Sequence, residues 1–254
     1  MNNPFNQVVD EYSNGREGYP IELYNLIQTY ASFSAESSLL EIGGGTGLAS
    51  KEIADFWNAR LSILEPAPNL YKFSCNRFKD DKKIELHNCS FEDYNTTERY
   101  DGILSATAFH WLDKSVKYKK AHELLNTNGF LILYWNNYMM EDPAIQEIHK
   151  LYHPNGNYNL KLAIRNKIDT RRDEVAESGY FKLLGHHELT HPVVYDTNRY
   201  LNLLHSFSTS SDYGNDRMQV FYEHIADYLH SVGDQITIKM IANLEVAQSL
   251  SLID

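Results

Sequence analysis

Between about residues 20 and 136, apolar and polar positions alternate in blocks. Short apolar runs stand at SLLEIG (38–43), LSILEP (61–66), KIELHN (83–88), YDGILSA (100–106) and GFLILYWN (129–136). Amphipathic stretches separate most of them: GLASKEIADFW (47–57), NLYKFSCNRFK (69–79) and KSVKYKKAHELLN (114–126). Strands buried on both faces read as near-continuous apolar runs, and helices supply the crossovers between them. The spacing therefore predicts an α/β fold built on an open, doubly wound sheet. The third crossover, around SFEDYNTTER, is short and reads mostly as loop. Ahead of the core, Pro20 suits the first turn of a helix over IELYNLIQTYA.

Beyond residue 136 the rhythm changes. DPAIQEIHKLYH and RNKIDTRRDEVAESG have helical patterns, with Gly179 as a C-terminal cap. A long strand pattern covers 180–196, and helical patterns follow near 197–207 and 216–231. Gly233-Asp234 signals a turn, after which QITIKM alternates as a half-buried strand does. No internal repeat, low-complexity linker or Pro/Gly-rich boundary interrupts the 254 residues, so one domain with helical additions is expected.

Charge narrows the partners. Lys and Arg total 23 against 34 Asp and Glu, a net charge of −11. Such a surface repels phosphate backbones, and no basic cluster offsets it, so nucleic acid is not an expected partner. KYKK at 117–120 lies in a helical pattern and reads as a solvated face. The apolar run GFLILYW is too short to span a bilayer, so no membrane partner is expected. The opening MNNPFNQVVDEYS lacks the basic start and apolar segment of a secretory signal. With two cysteines, Cys75 and Cys89, and no CxxC, a reducing cytoplasm is the expected location.

The loop between the first apolar run and the first helical one carries the chemistry. Gly43, Gly44, Gly45 and Gly47, with Thr46 among them, follow a strand and open a helix. In open α/β sheets ligands bind outside the carboxyl ends of strands, and missing side chains let a ligand approach the backbone at a helix N-terminus. A dinucleotide fingerprint needs a small third residue, yet that position holds Leu48 or Ser50 depending on the starting glycine. No GKS or GKT follows, so a nucleotide P-loop is excluded. Glu41 lies two residues before the first glycine, where a carboxylate suits a cationic amine better than a pyrophosphate. Glu65 closes the second apolar run, where a carboxylate can accept from both hydroxyls of a ribose. An amino-acid end joined to a ribose describes S-adenosylmethionine.

With these residues in view, the sequence resembles class I S-adenosylmethionine-dependent methyltransferases. LLEIGGGTG resembles the family's glycine motif, LSILEPAPNLY its second-strand acid, SFEDY its adenine-lining segment, YDGILSATAFHWLD its fourth strand and LLNTNGFLILYWN its fifth. The entry YSNGREGYP is similar to a lead-in of the trans-aconitate methyltransferases and their relatives. The resemblance implies a Rossmann-like sheet of five parallel strands plus an antiparallel C-terminal strand pair, near 180–195 and 235–248. It divides 1–254 into a lid over 1–19, a cofactor core over 20–136, and helical lid elements with the last two strands over 137–254. The implied function is methyl transfer to a small-molecule acceptor, leaving S-adenosylhomocysteine, by a monomer or homodimer. Two alternatives stand beside it, a catalytically inactive cofactor-binding module and an NAD-dependent oxidoreductase.

Residue by residue, the resemblance implies a cofactor site of Tyr12, Arg16, Tyr19, Glu41, Gly43, Gly44, Gly45, Thr46, Gly47, Glu65, Pro66, Ser90, Phe91, Glu92, Ala106, Thr107 and Trp111. Ser90 stands where an Asp is usual for the adenine amine, leaving Glu92 or a backbone carbonyl as the other acceptor. Tyr12, Tyr19, Phe109 and Trp111 are the aromatic candidates beside the sulfonium. His110 is either a general base or a loop histidine that only lines the pocket. Trp135, Asn136 and Tyr138 follow the fifth strand and are the acceptor-site candidates. Arg16 holds an anionic acceptor, the cofactor carboxylate, or an ordinary surface salt bridge. His186, His187 and His191 lie in a strand pattern without metal-ligand spacing, so no metal is expected and they read as exposed strand residues.

Overall fold

A computed structural model of the chain describes residues 13–152, 159–207 and 215–251. Seven strands form one sheet in the order β3-β2-β1-β4-β5-β7-β6. They are β1 (Ser38–Ile42), β2 (Arg60–Leu64), β3 (Ile84–His87), β4 (Tyr100–Ala106), β5 (Leu125–Met139), β6 (Phe181–Asp196) and β7 (Gln235–Ser249). The first five are parallel, with Glu41 opposite Ile63 on one side and Leu104 on the other. The C-terminal pair is antiparallel, which completes a Rossmann-like sheet.

The helices are α1 (Ile21–Tyr30), α2 (Leu48–Trp57), α3 (Pro68–Arg77), α4 (Lys117–Leu124), α5 (Pro143–Tyr152), α6 (Leu160–Glu177), α7 (Thr197–His205) and α8 (Asn215–Ser231). The expected third crossover is indeed free of helix between β3 and β4. Pro20 differs from expectation, capping α1 in extended conformation rather than entering its first turn. The helix expected over 114–126 stops at Leu124, and β5 begins at once. The register then jumps from Tyr100↔Leu125 to Gly102↔Phe130, so Asn126–Gly129 bulge out, with Asn128 at a φ of 63°.

The chain divides into two compact units. One comprises 18–136, 168–189 and 242–254. Because successive strand residues face opposite ways, Leu39 joins a cluster with Ile27, Ile53, Trp57 and Ile63, while Leu40 joins another with Phe91, Tyr100, Phe109 and Trp135. Each fully buried Leu or Ile stabilises by roughly 1.5–3 kcal/mol. The other unit comprises 1–17, 137–167 and 190–241, and its core gathers Ile145, Tyr195, Tyr200, Leu203, Ile225, Leu229 and Ile238. Among the described residues no helix is long and apolar enough to cross a membrane.

Candidate functional site

Strand alternation puts Glu41 on the same face as Leu39, against α2. There its Oε2 accepts from the Ser50 hydroxyl, while Oε1 is buried with no hydrogen-bond partner. Burial raises its carboxyl to about 7, with the Ser50 bond opposing and the charges of Glu52 and Glu65 adding. Glu52, one turn into α2, accepts the Tyr19 backbone N–H at 3.1 Å and the Tyr24 hydroxyl at 2.8 Å. Gly18 makes that approach possible, since a Cβ there would stand 1.9 Å from Glu52 Oε1.

Glu65 follows β2 and is held differently. Its Oε2 accepts the Gly45 N–H at 2.8 Å and its Oε1 the Ala67 N–H at 2.7 Å. These bonds work against the burial that raises its carboxyl. Asn88 donates to the Glu65 carbonyl at 2.8 Å.

The glycines serve the loop's own packing first. A Cβ on Gly44 would lie 2.3 Å from Ile63 Cγ2, and one on Gly47, whose φ is +76°, would meet the Phe78 ring at 2.5 Å. The N–H groups of Gly43 and Gly44 both donate to the Leu64 carbonyl, and Ser74 donates to the Gly45 carbonyl at 2.8 Å. Close approach of backbone to protein thus accounts for several of these glycines, and the number of glycines by itself is no measure of ligand contact.

At the ends of β4 and β5, Tyr19 comes together with the fourth-strand loop. Its hydroxyl bonds Thr107 Oγ1 at 2.8 Å and its ring meets Tyr134 edge-on at 4.6 Å. Thr107 has a φ of 56°, a sparsely populated conformation for a β-branched residue, and its N–H donates to the Tyr134 carbonyl at 2.8 Å. Ala106 ends β4 and packs on the core cluster of Leu39. His110 and Trp111 lie on a 3-10 turn, Phe109–Trp111; Phe109 is buried and Trp111 is 58% exposed. Trp135, fully buried, donates its indole N–H to His110 Nδ1 at 3.1 Å. An indole nitrogen only donates, so Nδ1 is the acceptor and the neutral ring keeps its proton on Nε2. His110 Nδ1 is thus engaged by the Trp135 side chain. Asn136 donates to the Gly18 carbonyl at 2.9 Å.

The remaining candidates are dispersed. Ser90 Oγ donates to Asp93 and accepts that residue's N–H, the Glu92 carboxylate accepts from the Asp113 N–H at 3.0 Å, and Phe91 is a core residue. Pro66 is exposed. Arg16 and Tyr138 lie in the other unit; the Arg16 guanidinium donates to the Ser206 hydroxyl at 2.8 Å and sits 5.6 Å from the Tyr138 ring centre. Tyr12 falls outside the described residues. His186 and His187 correct the expectation of plain exposed residues: His186 bonds the buried Glu245 at 2.8 Å and His187 the Tyr30 hydroxyl at 2.9 Å. They are partnered because β7 and α1 supply polar groups there. Among the described residues no cluster of His, Cys, Asp or Glu could hold a metal.

Sequence reasoning passed over Ser50, Glu52 and Ser74. They show only generic helix positions in the sequence, and contact with the loop or with Tyr19 is what marks them.

Residues 39–129 match the family model of a methyltransferase domain. A Saccharomyces cerevisiae protein named as a probable S-adenosylmethionine-dependent methyltransferase is 28% identical over 123 residues, 46% of this chain and 42% of that relative. The match therefore spans less than half of the relative's length. Among solved structures, one from Anaeromyxobacter dehalogenans carrying the name of a type II methyltransferase superposes with a TM-score of 0.63 at 17% identity, over 91% of this chain and 97% of that one. The N-methyltransferase NodS from Bradyrhizobium japonicum, in complex with S-adenosylhomocysteine, gives 0.55 at 13% identity over 98% and 100%. At these identities the structures establish the shared fold.

Proposed function

We propose that this chain is an enzyme that transfers a methyl group from S-adenosylmethionine to a small-molecule acceptor. The observation that carries the reading is the buried, unpaired oxygen of Glu41 beside the glycine loop, within a segment matching a methyltransferase domain. An orphaned carboxylate oxygen, in a field that Glu52 and Glu65 make more negative, fits the cofactor's ammonium group. Glu65 spends one acceptor site per oxygen on backbone N–H groups, and each oxygen keeps a further lone pair for a ribose hydroxyl. The positive end of α2 suits the cofactor's carboxylate. Pro66, Ser90, Phe91, Glu92, Ala106, Thr107 and Trp111 would border the adenine and the sulfur, and Trp135 and Asn136 the acceptor.

When bound, S-adenosylmethionine supplies a methyl carbon that is already electrophilic. The chain's own task is then alignment and exclusion of water, and alignment contributes on the order of 7–11 kcal/mol. Thr107, held in its strained conformation, and Tyr19 fix the wall at the end of β4. His110, its Nδ1 engaged by Trp135, lines the pocket beside the acceptor rather than removing its proton.

Calorimetry tests the reading. S-adenosylhomocysteine is expected to bind saturably and NAD not at all, and S-adenosylmethionine is expected to be consumed in the presence of a metabolite mixture. Binding of NAD alone would replace the reading with an oxidoreductase. Binding of S-adenosylhomocysteine without turnover would leave a cofactor-binding module.

A further inference from the structure

The unpaired oxygen of Glu41 has a counterpart across β4. Glu41 is opposite Leu104 in β4, and Leu104 is opposite Ile132 in β5. Tyr134 follows two residues later, so alternation returns it to the face of Glu41, at the level of Ala106 where β4 ends. Leu39, Leu104, Ile132 and Tyr134 accordingly share one core cluster. Tyr134 is 0% exposed, and its hydroxyl, like Glu41 Oε1, is buried with no hydrogen-bond partner. All of these residues belong to one compact unit.

The polar groups around Tyr134 direct their protons elsewhere. Tyr24, whose ring stands edge-on 6.2 Å away, gives its hydroxyl proton to Glu52 at 2.8 Å. Tyr19, edge-on at 4.6 Å, turns its hydroxyl to Thr107. Burial, and after it the charge of Glu41, keeps the Tyr134 hydroxyl protonated far beyond neutral pH. Phenylalanine would fill the same space without the cost of an unpaired buried hydroxyl, so packing does not explain the tyrosine. A hydroxyl offers two lone pairs besides its proton, and an ammonium group carries three donors.

We propose that the Tyr134 hydroxyl is a second acceptor for the ammonium group of S-adenosylmethionine, completing with Glu41 Oε1 a site selective for the amine. The proposal rests on the methyltransferase reading and deepens it. Glu41 supplies the charge and Tyr134 a neutral acceptor, from the strands on either side of β4.

The test is calorimetry on the full chain, wild type and Y134F, with S-adenosylhomocysteine and with an analogue in which hydrogen replaces its amine. Wild type is expected to bind the analogue at least tenfold more weakly than S-adenosylhomocysteine. Y134F is expected to lose at least fivefold in affinity for S-adenosylhomocysteine and less than twofold for the analogue, so that the advantage of the amine shrinks. Ligand-free Y134F is expected to unfold at or above the wild-type temperature, because the hydroxyl it lacks had no partner. Equal binding of the two ligands by wild type, unchanged S-adenosylhomocysteine affinity in Y134F, or equal losses for both ligands would each overturn the proposal. A Y134F midpoint well below that of wild type would overturn it too, by showing that the hydroxyl is paired within the protein. Failure of the wild type to bind S-adenosylhomocysteine would instead strike the underlying methyltransferase reading, so the two failures are distinguishable.

Discussion

Glu41, next to last in β1, and Glu65, just past β2, stand on the same face of the sheet with 0% and 4% of their surface exposed. Their surroundings differ. Glu65 has a backbone N–H on each oxygen, both from the loops that follow β1 and β2. Glu41 has one serine hydroxyl and an oxygen left over. The first carboxylate is part of the loop's construction, and any ligand contact is added to that role. The second keeps one of its two oxygens without a partner despite full burial, which is how a group reserved for a cation is expected to look.

The comparison breaks most sharply at Glu65. E65Q places an NH2 against a backbone N–H, leaving a buried donor unsatisfied, and is expected to cost about 1–3 kcal/mol of stability. S-adenosylhomocysteine affinity is expected to fall more than tenfold with it. Thermal unfolding and calorimetry on one sample check both, and a variant that lost affinity at full stability would show that the loop does not depend on Glu65.

E41Q is expected to act in opposite directions on stability and on binding. The folded carboxyl titrates near 7 against 4.5 for the ordinary group, so between those values the folded state holds more protons than the unfolded one. Stability from this group is complete below about 4.5 and is lost as pH rises toward 7. Buried Glu245, also raised to about 7, adds to the same slope. At pH 8, E41Q is therefore expected to be more stable than wild type by up to about 3 kcal/mol, while binding S-adenosylhomocysteine more weakly. Denaturant titration at pH 5 and pH 8 checks the sign.

Ser50→Ala is a smaller perturbation. It removes the one bond that favours the charged form of Glu41, so the pH midpoint of ligand binding is expected to move upward. His110→Ala is expected to have the least effect, with turnover within tenfold of wild type and an unchanged pH profile. A loss of roughly 10²–10⁴-fold would mark His110 as a general base after all.

The central strands were legible because they are largely buried on both faces, which leaves near-continuous apolar runs such as LSIL and GILSA, broken only by Ser62 and Ser105. The bulge at Asn126–Gly129 was not, since NTNG reads equally well as the end of a helix. At the site, Glu41 and Glu65 stood out because an acid inside an apolar run requires a reason. Ser50, Glu52 and Ser74 did not, because serine and glutamate on helices are ordinary and only the fold brings them to the loop and to Tyr19.

The central claim is tested most directly by the affinity of S-adenosylhomocysteine measured calorimetrically from pH 6 to pH 8 in wild type and E41Q. If the ammonium group requires an ionised Glu41, wild-type affinity rises about tenfold across that range and the rise disappears in E41Q. An affinity that is flat with pH and equal in the two proteins would contradict it.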